Sequence, residues 1–468
     1  MTRGAALLSA ALVAACARSP ASPGAAGPRW CDARARVTRE RPLLLDVDVR
    51  CHGAGFTGFV ASEPASLAHI SDRTSRIGPT EARTSYRVDL DAVAAQSGSF
   101  DVALRSGSSL VAPVSTWLVR PEPLATDVPV RLRVETPKGF GFATGLTREG
   151  DDYRLDAHEI PVGTYALFGQ FDSRTLAVGD SRITLAFTDG RLAAGPDEVA
   201  RWVADSARAV ADFWHGFPVP RVQITVIVVP RRDRVVFGKV LPESAPGIAL
   251  LVGENTPRQA LYQDWILVHE LFHLGVPSFS GEGKWFDEGL ATYFEPIIRA
   301  RAGFISEESV WEEFTRAMPR GLHAVERQGV ERAEDFSGVY WGGAILVMLA
   351  DLEVRRHSAG ARGLEDGLRG VRAAGGHASE VWPLERALAL CDRATGVRAL
   401  APLAAAHAQR GRPVDLDALW RQLGVVSGAG GMRFDDRAPL SAVRRSVVGR
   451  SASAKLGSAP TQKPNPAL

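Results

Sequence analysis

The chain has 468 residues, 45% of them hydrophobic, and a formal net charge of only +2. Such a length allows two or three domains, each burying its own core. The basic residues are scattered and mostly arginine, which excludes an extended polyanion-binding surface or an acidic tail, so no nucleic acid partner is expected.

Residues 1–15 read as an address: Arg3 gives a positive start, Ala5 to Ala15 form an apolar run, and Val13, Ala14 and Ala15 lead into Cys16. The run is too short to cross a bilayer permanently. The pattern resembles a bacterial lipoprotein signal, which implies acylation of Cys16 and anchorage of the chain in a lipid bilayer; the plainer alternative is a cleaved signal with Cys16 incidental. Ala17 and Arg18, with no aspartate beside the lipid site, resemble the sorting pattern for export to the outer membrane of a two-membrane bacterium, facing periplasm or cell surface. Residues 16–30 are mostly Ala, Ser, Pro and Gly and read as a flexible tether. In an oxidising compartment Cys31 and Cys51 can pair across a loop of about twenty residues, worth about 3 kcal/mol in the chain-entropy model; two free thiols are the alternative. Cys391 reads as a buried free thiol.

Residues 31–195 alternate with period two in short runs, among them Leu43 to Val49, Tyr86 to Leu90, Val128 to Val134 and Arg182 to Phe187, so a β-rich N-terminal domain is expected. Residues 196–296 change period. Pro196 and Asp197 open an amphipathic helix, Val222 to Val229 and Ile248 to Val252 read as strands, and Trp265 to Leu274 reads as a buried helix. That last segment is apolar nearly all round except at His269, Glu270 and His273, and burying those groups without partners costs several kcal/mol. Residues 297–425 are expected to form a helical C-terminal domain, with candidates Glu307 to Ala317, Tyr340 to His357, Leu364 to Val371, Leu384 to Leu390 and Leu416 to Leu423. Residues 426–468, rich in Gly, Ser, Arg and Pro, read as a poorly ordered tail. The fold class expected is α+β and multidomain.

His269 and His273 stand four apart, which on a helix puts both imidazoles on one face, one turn from each other, where they can grip one Zn²⁺. Glu270, one residue along, can reach a water at the ion and take its proton without being a ligand. With ten histidines in the chain, the chance of meeting this template is about one in a hundred, so the match is treated as signal. Glu288, fourteen residues beyond His273, lies at the start of a second helix where a third ligand would come from. Three ligands leave a fourth position open, as catalysis needs. Asp287 competes with Glu288 for that place; Glu288 is favoured because Thr292 would share its face and could orient a ligand, although a packing threonine is the simpler reading.

The stretches His269 to His273 and Trp285 to Tyr293 resemble the metal motif of the gluzincin metallopeptidases, above all the glycyl aminopeptidase family, whose relatives include larger zinc aminopeptidases. The resemblance implies a thermolysin-like mixed α/β catalytic domain, ligands at His269, His273 and Glu288, and catalysis at Glu270. Val128 to Gly145 with Asp152 to Gln170 looks like the end of that family's β-rich domain. Val339 to Ala344 is similar to the segment whose tyrosine donates to the oxyanion, which implies that role for Tyr340; a packed aromatic at a helix start is the alternative. Gly253, Glu254 and Asn255 resemble the segment that binds a substrate's free amine, with Ile248 to Val252 as the strand pairing the peptide; an ordinary turn glutamate fits Glu254 equally well. Two departures stand out. Leu274, Gly275, Val276 and Pro277 replace the usual tryptophan and asparagine, and the family's C-terminal PDZ domain has no counterpart after Val425.

The reading is a zinc-dependent peptidase with one Zn²⁺ per chain, acting on a peptide or protein substrate, aminopeptidase-like or, alternatively, an endopeptidase. A non-catalytic lipoprotein binding module and hydrolysis of another amide or ester are the remaining readings. Substrate preference, oligomeric state and membrane face are not readable from the sequence.

Overall fold

The computed structural model describes residues 28–241, 246–428 and 430–449. The signal at 1–15, Cys16 and most of the tether lie outside the described residues.

Chain alternation builds the first layer. A seven-stranded sheet takes the order Thr147–Glu149, Asp152–Asp156, Pro129–Glu135, Trp30–Glu40, Leu43–His52, Glu81–Asp89, Ile70–Ile77. In Leu43–His52 the inward residues Leu43, Leu45, Val47, Val49 and Cys51 are buried, as period-two patterning requires. Cys31 faces Cys51 in register, and their sulfurs are bonded. The outward face carries a concavity of about 770 Å³ lined by arginine and aspartate. Its charges largely satisfy one another, as in Arg83–Asp48 at 2.7 Å, Arg87–Asp46 at 2.7 Å and Arg131–Asp32 at 2.6 Å. Such exposed pairs contribute little stability.

A four-stranded sheet (Gly141–Thr144, Tyr165–Gly169, Ser109–Pro113, Leu104–Ser106) lies between that layer and a third. Val111, Tyr165 and Leu167 pack on Ala186, Ile227 and Ala249 of the five-stranded sheet that carries the site. Its order is Asp172–Val178, Ser181–Phe187, Arg221–Val229, Gly247–Gly253, Val235–Leu241, with the three middle strands parallel and both edges antiparallel. Arg221–Val229 is buried along nearly its whole length because both faces are covered. The strand Arg182 to Phe187, read above with the β-rich N-terminal domain, belongs instead to this sheet, so the expected division at 195/196 cuts through one hydrogen-bonded unit. Period two cannot tell to which sheet a strand belongs.

Helix Pro196–Trp214 begins with proline at its first turn, carries Asp197 and Glu198 there, and buries one apolar stripe. From Val178 to Val447 a single continuous core joins the five-stranded sheet to the helices beyond it. The expected division at 296/297 therefore also fails, since Pro296 sits inside helix Lys284–Arg301. The lost backbone bond is tolerated where Glu295, Ile297, Ile298 and Arg299 are all buried. Of the expected tail, residues 426–428 and 430–449 carry defined structure. Val425–Gly428 and Gly431–Phe434 form a hairpin, and helix Ser441–Val448 buries Val443 and Val447 while Arg355 and Arg301 donate to the Ser446 and Val447 carbonyls. Cys391 is a buried free thiol.

Candidate metal centre

Helix Ile266–His273 is buried at all eight positions. Asp264 accepts from the Ile266 N–H at 2.8 Å and caps its start; burial pushes this carboxyl up to about 6. On one face the rings of His269 and His273 stand 4.8 Å apart, edge to face. Helix Lys284–Arg301 supplies Glu288. Its start is fixed by Gly283 at φ 105, a conformation glycine adopts without strain, whose N–H donates to Glu331 at 2.6 Å.

Ligand atoms of His269, His273 and Glu288 all lie within 4.8 Å of one another. Glu288 Oε2 is 3.2 Å from His269 Nε2 and 3.6 Å from His273 Nε2. A tetrahedral zinc with bonds of about 2.0–2.1 Å holds its ligand atoms about 3.3–3.4 Å apart, so the donor set fits that ion in spacing and in chemistry. Electrostatics agree. Burial opposes the Glu288 charge, yet the two imidazoles hold this carboxyl well below the usual range. Burial also works against charge on His273, but Asp287 and Glu288 raise it well above its ordinary value.

Asp287, weighed above as the rival ligand, is placed elsewhere. Its Oδ1 lies 2.8 Å from His273 Nδ1, which fixes the ring with Nε2 facing Glu288. Helical geometry separates the two carboxylates by about a hundred degrees, enough to send one to each ring nitrogen. His269 has no such backing, and among the described residues its buried Nδ1 has no hydrogen-bond partner. The Thr292 hydroxyl makes no hydrogen bond either, in line with the simpler reading of a packing threonine.

Tyr340 lies in the π-turn Ser337–Gly342 ahead of helix Gly343–His357. Its ring stacks on His269 at 5.7 Å, which places the phenol within electrostatic reach of Glu288. Burial, and then the Glu288 charge, push its phenol well up, so it remains a donor. What brings it there is the absence of side chains: a Cβ on Gly289 or Gly343 would collide with the backbone of the opposite helix. Gly275 likewise leaves space for the Trp214 ring, which packs where a side chain would otherwise stand.

Glu270 is buried and its Oε2 accepts from the Val240 N–H at 2.9 Å. Burial pushes its carboxyl up, while the histidines and this N–H oppose the shift. Val240 belongs to the strand Val235–Leu241, which the sequence reading missed because glycine and lysine interrupt its apolar run.

Glu254 stands in a turn, the second of the two readings given for it. Its Oε1 accepts from the Arg231 N–H at 2.8 Å, and its backbone joins Val229 and Ala193. Gly238, which packs against Glu270, pairs with Leu250; Glu254 lies four residues further along, about 13 Å at strand rise. The strand Ile248 to Val252 is also interior to its sheet, paired on both sides, so it cannot accept a peptide as an added strand. Val235–Leu241 is the edge.

The sequence matches no protein-family model and no curated protein. Solved structures do resemble it. One is the aminopeptidase N family protein from Idiomarina loihiensis, at TM-score 0.67 and 15% identity, covering 85% of this chain and 78% of that one. Another is a glutamate-to-alanine mutant of a two-domain M1 zinc metallopeptidase bound to L-arginine, at TM-score 0.50 and 13% identity, covering 83% and 96%. The mixed α+β fold is that of the M1 zinc metallopeptidases.

Proposed function

We propose that the chain is a zinc-dependent peptidase, with His269, His273 and Glu288 as ligands to one Zn²⁺, Glu270 as general base and Tyr340 as oxyanion donor. The observation that carries the reading is the convergence of donor atoms from two buried histidines and the half-buried Glu288 beside a buried carboxylate that is not among them. Zinc, when bound, supplies Lewis acidity that lowers the pKa of water towards neutrality. Glu270 takes the proton of the attacking water and delivers it to the leaving amine. Tyr340 donates to the charge that develops on the carbonyl oxygen, and Asp287 keeps the His273 ring in its working tautomer. Closer kinship to the glycyl aminopeptidases rests on the motif residues alone.

An aminopeptidase mode follows from likeness of fold, which does not by itself determine activity. Internal cleavage is the second reading, since Glu254 accepts from the Arg231 N–H in a turn and offers no specific support for an amine subsite. Matched peptides with free and acetylated amino termini separate the two modes. Screening the purified, metal-analysed protein against peptides, with Glu270→Gln as blank, tests the whole reading; absence of zinc or of cleavage above the blank refutes it and leaves the binding-module alternative. We also propose export and acylation at Cys16, supported by the first sixteen residues and by the Cys31–Cys51 bond, which suits an oxidising compartment. Cys16→Ala is expected to leave the membrane fraction; retention there refutes the anchor.

A further inference from the structure

The strand Val235–Leu241 lies antiparallel to Gly247–Gly253 along one side. Its other side meets helix Ile266–His273 with nothing between them. A Cβ on Gly238 would stand 2.5 Å from Ile266 Cγ2 and 2.7 Å from Glu270 Cγ, so only glycine lets the two backbones come this close. Two residues on, Val240 gives its N–H to Glu270 Oε2 at 2.9 Å rather than to Ile248, its partner across the ladder. The clearance at Gly238 faces the Glu270 Cγ and the donor at Val240 reaches its Oε2, so both act on the same side chain.

We infer that the Val240 N–H, with Gly238 as its clearance, positions the Glu270 carboxylate. The last torsion of a glutamate is broad and weakly restrained. Anchoring one oxygen on a backbone donor removes that freedom and leaves the other oxygen to receive the proton. A main-chain donor suits this task, because strand pairing holds it and it has no rotamers of its own. The inference rests on Glu270 being the base, as proposed above.

Proline offers a selective test, because it deletes one N–H and is tolerated on an edge strand where that N–H faces away from the ladder. Val240→Pro is expected to lower kcat on the order of a hundredfold, the cost of misplacing a catalytic group by about 1 Å. KM, zinc content and the unfolding midpoint should stay close to the parent protein. Val240→Ala keeps the donor, and kcat should fall far less. A Val240→Pro enzyme within about twofold of Val240→Ala in kcat overturns the inference, that gap being under 0.5 kcal/mol. Should the proline variant fold poorly, replacing the amide at position 240 by an ester swaps N–H for oxygen, and the same comparison decides. Glu270→Gln separates the two levels of the argument. If it retains activity, the base assignment itself fails; if it is inactive while Val240→Pro works normally, only the positioning role fails.

Discussion

Removing the Asp287 carboxylate by Asp287→Ala should weaken zinc binding without abolishing it. The bond lost is the 2.8 Å contact to His273 Nδ1, in which the imidazole side chain is 9% exposed and the carboxylate 33%. A hydrogen bond to a charged group contributes about 1.5–3 kcal/mol when buried, and partial exposure of Asp287 places it near the lower end. At 1.36 kcal/mol per decade, about 1.5–2 kcal/mol raises the zinc dissociation constant roughly 10- to 30-fold. Competition with a chelator of known affinity at fixed pH measures it, and circular dichroism verifies that the variant is folded. Glu288→Ala, which removes a ligand atom, should lose far more. If the order is reversed, Asp287 is the ligand and the assignment falls. If Asp287→Ala binds within about twofold of the parent, the hydrogen bond orients nothing, since that gap is under 0.5 kcal/mol.

Tyr340→Phe should lower kcat on the order of 10²- to 10³-fold while zinc content and fold persist, as removal of an oxyanion donor does; an unchanged kcat removes the role. Replacing both Cys31 and Cys51 by serine should cost about 3 kcal/mol for a 20-residue loop, read as a lower denaturant midpoint in the non-reduced protein. An equal midpoint would show the bond to be energetically idle. Asp264 has its folded pKa raised to about 6, so its contribution to stability is fully present below the unfolded carboxylate pKa near 4 and is lost as pH rises through 6. Relative to Asp264→Asn, the parent should lose up to about 3 kcal/mol between roughly pH 4 and pH 6. A difference independent of pH would contradict the burial argument.

What the sequence made legible was local. His269 and His273 share a face because a helix repeats every 3.6 residues, and Cys31 and Cys51 meet because two adjacent strands fold back in one hairpin. Where two readings differed only in tertiary placement, residue order was silent. Asp287 and Glu288 are neighbours in the chain, and only the packing of two helices decides which ring nitrogen each one faces. Glu254 looked suited to a substrate amine, but the register between Gly238 and Leu250 carries it past the site. The hairpin and helix after Val425 were hidden for the same reason. Their Gly, Ser and Arg content gives a weak apolar pattern, and the helix is held by buried Val443 and Val447 and by Arg301 and Arg355 reaching backbone carbonyls more than 90 residues away.

The site is assembled where side chains are missing. Gly238 lets the edge strand touch Glu270, and Gly289 against Gly343 lets two helices meet backbone to backbone, so that Tyr340 falls beside Glu288. A motif names the groups that do chemistry, whereas these three glycines set the distances between the elements that carry them. Each is costly in a strand or helix interior, by roughly 0.5–1 kcal/mol relative to alanine. Close approach is what brings groups from helix Ile266–His273, helix Lys284–Arg301 and the turn Ser337–Gly342 within reach of one another. Glycine inside a predicted strand or helix next to a catalytic motif is therefore a positional signal. In this chain Gly238, Gly289 and Gly343 mark the surfaces along which the elements carrying the site meet.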